Sequence, residues 1–381
     1  MRLDKRLRLV KQVVQELNDD LIYALSLGSK ELFHTNLLGW FAEHEPIISA
    51  ALLREWDPRT PPALVRARRE LHHLDLVLHE VKADGAAGPA RVVVENKMFA
   101  LPNLEQLRRY GLVINTHFRD KPSLVLLSLA DPGWPQGTWD DGAGNIWRHC
   151  SYQSLTQILT SDTRPLHVDR FAVATLQAWT TMMSRLAQLS DLVSQPRLDE
   201  VLLLPEAVRN ELNQIRLDAP VQKLRAYHVT AQLRKELGDL LTDEVSIGVN
   251  FTNGHGLIEA FVGVGDNVEA GWQLQGSQWR MAIRVTKKHP LYGHGALLDA
   301  QRAQLADKTG WIAFEGTPFE GALSFPRIKG GTPKFGKFAP DFVYRYVHVP
   351  NLTLTTAVDT GLHIIHCALS ERDSPRWRYP R

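Results

Sequence analysis

The sequence predicts an α/β protein with a mixed sheet in its N-terminal part, a helical stretch after it, and a β-rich α+β domain at the C-terminal end. Three observations carry this prediction. Strand-like and helix-like segments alternate from residue 64 to beyond residue 152, and one of them is apolar throughout. Residues 166–242 read as helix. After Asp243, aromatic and β-branched segments are divided by glycines. The expected domains are residues 1–190, a helical connector 191–242, and 243–381.

The elements follow in order. Leu3, Leu7, Val10, Val14, Leu17 and Leu21 recur at alternating four- and three-residue steps, which lays one apolar seam along a helix. That seam serves either packing within its own domain or a dimer-forming coil. A second helix is expected from Ser29 as N-cap through Leu32, Leu37, Leu38 and Phe41. Residues 64–70, 74–80 and 91–97 read as strands, and the Gly/Pro/Asp-rich VKADGAAGPA between the last two suits a hairpin loop. Residues 103–116 form a helix pattern with Leu104, Leu107 and Val113 on one side. SLVLLSL, residues 123–129, is a strand buried on both faces. A turn-rich segment leads to a short strand at 146–149 and a helix from near Tyr152. Phe171, Leu176, Trp179, Met183, Leu186 and Leu189 trace one helical face, and Gln195-Pro196 breaks the helices. VSIGVNF, GLIEAFVGVG, WRMAIRV, GWIAFEG and FVYRYVHV are the expected strands of an antiparallel C-terminal sheet.

Composition narrows the class. A hydrophobic share of 44% and a charged share of 23% over 381 residues suit a globular protein whose core needs no staple. Cys150 and Cys367 are far apart and form no CxxC pair, so a disulfide framework and a structural zinc site are not expected, and a reducing cytoplasm is. No apolar run reaches bilayer length, and the charged N-terminus does not read as a secretion signal, so no membrane partner is expected. A formal net charge of +2 does not announce a nucleic-acid partner, which would have to bind local patches.

The chemistry lies in VVVENKM. Period two puts Glu95 and Lys97 on one strand face and Asn96 on the other. A carboxylate and an ammonium so placed can share one metal and one water. The preceding strand sets Asp75 among Leu74, Leu76 and Leu78, where a charge is costly unless paired or bound to a cation. If the two strands form a hairpin, Asp75 approaches Glu95, and two adjacent carboxylates invite a hard divalent ion such as magnesium. An acid-x-Lys tripeptide arises by chance about twice in a chain of this composition, and Glu80-Val81-Lys82 is another beside a turn. The ordered set distinguishes the first: Asp75, a hairpin, Glu95-Asn96-Lys97, then Gln106 to Tyr110 on a helix.

With these residues the chain resembles the PD-(D/E)XK nuclease superfamily. The likeness rests on Asp75 in HLDLVL, Glu95 and Lys97 in VVVENKM, and Gln106 and Tyr110 in NLEQLRRY, similar to the superfamily's Gln-x-x-x-Tyr extension. It is nearest the bacterial branch with a leading E-L-F-H-x-N-x-L helix, here Glu31, Leu32, Phe33, His34, Asn36 and Leu38, and it covers residues 20–190. Leu74 stands where the superfamily commonly has proline. The resemblance implies a restriction-endonuclease-like αβββαβ core and hydrolysis of phosphodiesters, with DNA ahead of RNA as substrate and defence against foreign DNA as the role. It implies that Asp75 and Glu95 bind magnesium, or manganese, with the Asn96 carbonyl completing the shell. It assigns Lys97 to the attacking water, brings Glu31 to the same site, and gives Gln106 and Tyr110 to substrate or site geometry. Rival readings are a catalytically silent nucleic-acid-binding module and a regulatory or scaffold subunit whose activity depends on a partner protein; the partners open to the chain also include further copies of itself.

Other features are secondary. Residues 331–337 match most of a phosphate-binding loop, but Phe338 stands where Ser or Thr must meet magnesium, so a basic loop touching phosphate or a plain solvated loop fits better. WRMAIRVTKKH, residues 279–289, has a basic strand face that suits nucleic acid or plain exposure. Arg66, Arg68 and Arg69 could steer a phosphate backbone or pair with carboxylates such as Glu70. His72 and His73 read as strand residues without a zinc array. Trp134, Trp139 and Trp147 read as packing anchors, with base stacking as the alternative.

Overall fold

A computed structural model describes residues 3–26, 31–59, 64–102, 104–161, 164–242, 244–311, 316–319, 336–338 and 340–378. The chain is mixed α/β and divides into two compact units: residues 1–195 with 205–228, and residues 196–204 with 229–381. Residues 191–242, read from the sequence as a connector, are therefore apportioned between the units.

The first unit contains α1 (Leu3–Asn18), α2 (Leu21–Ser26), α3 (Glu31–His44), α4 (Pro46–Trp56), β1 (Val65–Leu71), β2 (Leu74–Val81), β3 (Ala87–Lys97), α5 (Leu104–His117), β4 (Ser123–Ser128), β5 (Thr138–Asp140), β6 (Ile146–Ser151), α6 (Tyr152–Thr160), α7 (Arg170–Val193) and α8 (Glu206–Gln214). A further helix, α9 (Asp218–Leu237), passes the unit boundary. Its open sheet has the order β1-β2-β3-β4-β6-β5, with β1–β2, β2–β3 and β5–β6 antiparallel and β3–β4 and β4–β6 parallel. The strand β3 is buried from Ala90 to Asn96, as expected of a central strand covered on both faces.

The N-terminal seam is packed within its own unit. Val10, Val13, Val14 and Leu17 are buried, and α1 lies against α7 and α8. The seam does not continue to Leu21, which is 70% exposed, because the helix ends at Asn18 and Asp20 starts a new one by accepting from the Tyr23 amide at 3.0 Å. The α3 face also differs from the expected one. Leu38 and Phe41 are buried, but Leu32 is exposed, and polar His34 and Thr35 take the inward positions. Ser29, its expected cap, lies outside the described residues.

Three local readings are corrected. His72 and His73 are not strand residues; both have positive φ, at 55° and 67°, and form the two-residue turn between Leu71 and Leu74. The hairpin loop between β2 and β3 is shorter than VKADGAAGPA, because β3 starts at Ala87 behind an irregular register. Residues 166–242 are not wholly helical. α7 ends at Val193 before Pro196, and in the second unit Val201 bridges Thr353 while the Leu202 amide donates to the Leu352 carbonyl at 2.8 Å.

Gly111 on α5 sets how close a buried turn can come. A Cβ there would lie 1.9 Å from Asp141 Oδ2, and Asp141 is fixed because its Oδ1 accepts the Ala143 and Asn145 amides. Gly111→Ala is expected to lower the unfolding free energy by about 2 kcal/mol or more, read as a drop in thermal midpoint. An unchanged midpoint would mean that this turn yields freely.

The second unit contains β7 (Val245–Thr252), β8 (His255–Gly265), β9 (Val268–Gln275), β10 (Gln278–Val285), α10 (Ala296–Thr309), β11 (Gly336–Phe338), β12 (Phe342–His348) and α11 (Leu354–Ser370). Its antiparallel sheet has the order β11-β12-β10-β9-β8-β7. The expected segments VSIGVNF, GLIEAFVGVG, WRMAIRV and FVYRYVHV are strands of this sheet, whereas most of GWIAFEG lies outside the described residues. β9, VEAGWQLQ, carried too few β-branched residues to read as a strand, yet its Trp272 stacks on Trp279 at 4.6 Å in the core. The basic face expected on WRMAIRV is not free. Arg280 is buried and donates to Gln273 and Gln278, and Arg284 pairs with Glu269 at 2.5 Å. Residues 331–335 of the phosphate-loop-like stretch are outside the described residues. Among the described residues no helix is long and apolar enough to cross a membrane.

Candidate active site

The parallel strands β3, β4 and β6 end on one edge of the sheet, the side where ligands collect in open α/β sheets. Glu95, Asn96 and Lys97 are the last three residues of β3. The β2–β3 register pairs Leu76 with Val94, so one step further brings Asp75 opposite Glu95. Here the ladder gives way to a side chain: the Asn96 amide donates to Asp75 Oδ2 at 2.8 Å. Val93 packs with Leu107, Tyr110 and Ile114 of α5. Period two then turns Glu95 toward α5 and Asn96 toward the opposite face, where it meets α3 and α6.

The sequence-predicted residues come together. Lys97 Nζ lies 2.9 Å from Glu95 Oε1, 3.5 Å from Glu31 Oε2 and 3.8 Å from Asp75 Oδ2. Gln106 Nε2 donates to Tyr110 Oη at 2.7 Å and to Glu95 Oε1 at 3.3 Å. Glu95 is 1% exposed, and its Oε2 is buried with no hydrogen-bond partner. Among the described residues no three or more His, Cys, Asp and Glu side chains form a metal-holding group; the carboxylates converge on the Lys97 ammonium instead.

Electrostatics follow from burial and crowding. Burial, and then the charge of Asp75, push the Glu95 carboxyl up to about 8, with Lys97 opposing. Burial also raises Glu31. For Lys97 burial works against the charge, but Glu95, Asp75 and Glu31 outweigh it and hold the ammonium above its ordinary range. Folded protein therefore keeps the Glu95 proton more tightly than the unfolded chain, whose carboxyl titrates near 4.5. Stability from this proton is full below that value and is lost as pH rises through about 8. In chelator, urea unfolding is expected to show a decline across this window that Glu95→Gln lacks. Parallel pH profiles for the two proteins would remove this account.

The other candidates have contacts of their own. Glu80 of the second acid-x-Lys pattern pairs with Arg91 at 3.3 Å. Arg66 approaches Glu43 at 3.7 Å, and Arg69 bonds Asn36, so these two arginines are paired on α3 rather than with Glu70. His72 stacks on His117 at 3.9 Å. Trp147 is fully buried, whereas Trp134 and Trp139 are half-buried and stacked at 6.0 Å, with Arg108 5.9 Å from the Trp139 ring.

Sequence reasoning missed what holds the cluster from behind. The Asn96 side chain, Thr35 and Tyr152 form one hydrogen-bonded group, and His34 Nδ1 accepts from Trp179 Nε1 at 3.0 Å. Burial pushes the His34 imidazole down to about 3, so it is the neutral ring that accepts. The signal available was that polar His34 and Thr35 fall at helical spacing with apolar Leu38, Phe41 and Ala42. Their partners Asn96 and Trp179 are 61 and 145 residues distant in sequence, and no local pattern names them. Comparison with known proteins finds no matching family model, no matching curated protein and no matching solved structure.

Proposed function

We propose that this protein is a divalent-metal-dependent nuclease whose active site is Asp75, Glu95 and Lys97, with Glu31, Gln106 and Tyr110 around them. The observation that carries the reading is the convergence of Glu31, Asp75 and Glu95 on one ammonium, with a buried Glu95 oxygen left without a partner. These are the residues that carry the likeness to the PD-(D/E)XK superfamily, and an αβββαβ core of that kind accords with the order of elements from α4 to β4.

The donor set suits magnesium or manganese. Two carboxylates offer hard oxygens, and the orphaned Glu95 oxygen is a group that a cation would satisfy. Asp75 and Glu95 would hold the ion, with the Asn96 carbonyl beside them. Once bound, it supplies a water of lowered pKa and offsets charge on the phosphate. The chain's own groups do the rest. Lys97 holds the attacking oxygen and stabilises the negative charge that grows on the phosphate. Gln106, braced by Tyr110, fixes the Glu95 carboxylate. Glu31 keeps Lys97 charged and aimed. DNA as the substrate, and defence against foreign DNA as the role, are proposed on the resemblance.

Purified protein is expected to cut plasmid DNA with magnesium or manganese and to be inert in chelator, with RNA as the parallel substrate and Glu95→Ala as the inactive control. Equal cutting by Glu95→Ala would refute the assignment. A second reading is favoured by the close Glu95–Lys97 ion pair at 2.9 Å: a silent module whose cluster only braces the fold. It requires that the wild-type protein cut nothing under any of these conditions. Cleavage that appears only after a cellular partner is added would favour the regulatory-subunit reading.

A further inference from the structure

Asn96 is the residue at which both faces of the sheet meet the site. Its backbone N–H donates to Asp75 Oδ2 at 2.8 Å on the side of Glu95. Its side chain points the other way and is 1% exposed as a residue. There Nδ2 donates to the Glu31 carbonyl and to Thr35 Oγ1, both at 2.9 Å, and Oδ1 accepts from Tyr152 Oη at 2.6 Å. Thr35 Oγ1 donates in turn to the Glu31 carbonyl at 3.0 Å. The amide orientation is fixed by this network: flipped, its oxygen would face the Glu31 carbonyl and its NH2 would face the Tyr152 hydroxyl, leaving acceptor against acceptor.

The bond to Glu31 is made by the backbone of a residue whose carboxylate stands 3.5 Å from Lys97, next to Asn96 in the chain. Asn96 thus grips the first turn of α3 from behind the sheet while Lys97 meets the same residue in front. We propose that the Asn96 side chain is a positioning residue of this site. It moors the start of α3, with Tyr152 locking its orientation, so that the Glu31 carboxylate reaches Lys97. Asparagine suits this role because one neutral planar group donates twice and accepts once in a buried place where a charge would be costly. Aspartate has no donor for the carbonyl, and leucine has neither function.

The activity readout of this proposal rests on the nuclease reading, so the test has one arm that does not. In the full chain, hydrogen exchange of the peptide covering residues 31–38 is compared between wild type, Asn96→Ala and Tyr152→Phe. Faster exchange there, with the β3–β4 region unchanged, is expected. Unchanged exchange in residues 31–38 overturns the mooring whatever the cleavage results. The second arm is a double-mutant cycle on magnesium-dependent plasmid cleavage. Asn96→Ala is expected to lower kcat by about 10- to 100-fold with a smaller change in KM, and in a Glu31→Gln background the further loss should stay within about twofold. A loss that persists in full without the Glu31 carboxylate overturns the route through Glu31, because a merely structural defect would act in either background. Tyr152→Phe repeats the cycle with a smaller deletion if Asn96→Ala does not fold. If wild type cuts neither DNA nor RNA, the nuclease reading falls and the exchange arm alone decides the mooring.

Discussion

Lys97→Met is expected to abolish cleavage and, in metal-free protein above about pH 8 where Glu95 is ionised, to lower the unfolding free energy by about 2 kcal/mol. Both effects have one cause. Glu31, Asp75 and Glu95 each lie within 3.8 Å of the Lys97 ammonium, and Glu95 is 1% exposed and ionises only as pH rises through about 8, so above that pH removing the cation leaves a buried carboxyl group that must either take a proton or face Asp75 without compensation. Glu31 and Asp75 are more open to water and contribute less. The rate should fall by about a thousandfold or more, the scale of losing a group that stabilises charge in the transition state. Magnesium should restore stability to the variant without restoring the rate, because ligand bound only by the folded state adds about 2.7 kcal/mol at a hundredfold excess over its Kd. Thermal unfolding with and without magnesium, beside a cleavage assay, reads all three. A variant that melts like wild type in chelator would show that the carboxylates do not depend on this ammonium.

Arg91→Met should produce the largest purely structural loss, about 3–5 kcal/mol. Asp57 ends α4 through its backbone N–H on the Leu53 carbonyl, and its side chain, with no exposure, takes Arg91 Nε at 2.6 Å and Arg59 Nε at 2.8 Å. Arg59 also donates to the Arg91 carbonyl at 2.9 Å, so the pair ties the end of α4 to β3, the strand that carries the site. With Arg91 gone, Asp57 keeps the Arg59 side chain, which is 40% exposed, and the Arg59 backbone N–H at 3.1 Å. The double variant Asp57→Leu/Arg91→Met should recover most of the loss, since the cost lies in stranding one charge rather than in lacking the pair. Urea unfolding checks both proteins, and a double variant no better than Arg91→Met would contradict this ordering.

Much of this was legible in the sequence because periodicity is a local property. The alternation in VVVENKM assigns Glu95 and Lys97 to one face and Asn96 to the other, and the structure keeps that division. The apolar run at β4 marked a strand buried on both faces, and the strand is buried along nearly its whole length. Readings failed where tertiary context outweighed local pattern. The N-terminal seam ran on to Leu21 only on paper, because Asp20 caps a new helix and turns Leu21 outward. β9 escaped notice because its neighbours, rather than its own composition, hold it in the sheet. Arg280 and Arg284 looked like a free basic face until the paired strand supplied Gln273 and Glu269.

The sequence by itself determined which residue types the candidate site holds, their order in the chain and the strand face each one takes. Tertiary structure alone decided that Asp75 stands opposite Glu95, that Glu31 arrives from a helix 64 residues earlier, and that the Asn96 side chain has a task of its own. The physical reason is one of range. Side-chain direction follows from backbone geometry within a few residues, whereas the distance between two elements depends on register, helix packing and the buried hydrogen bonds that fix them.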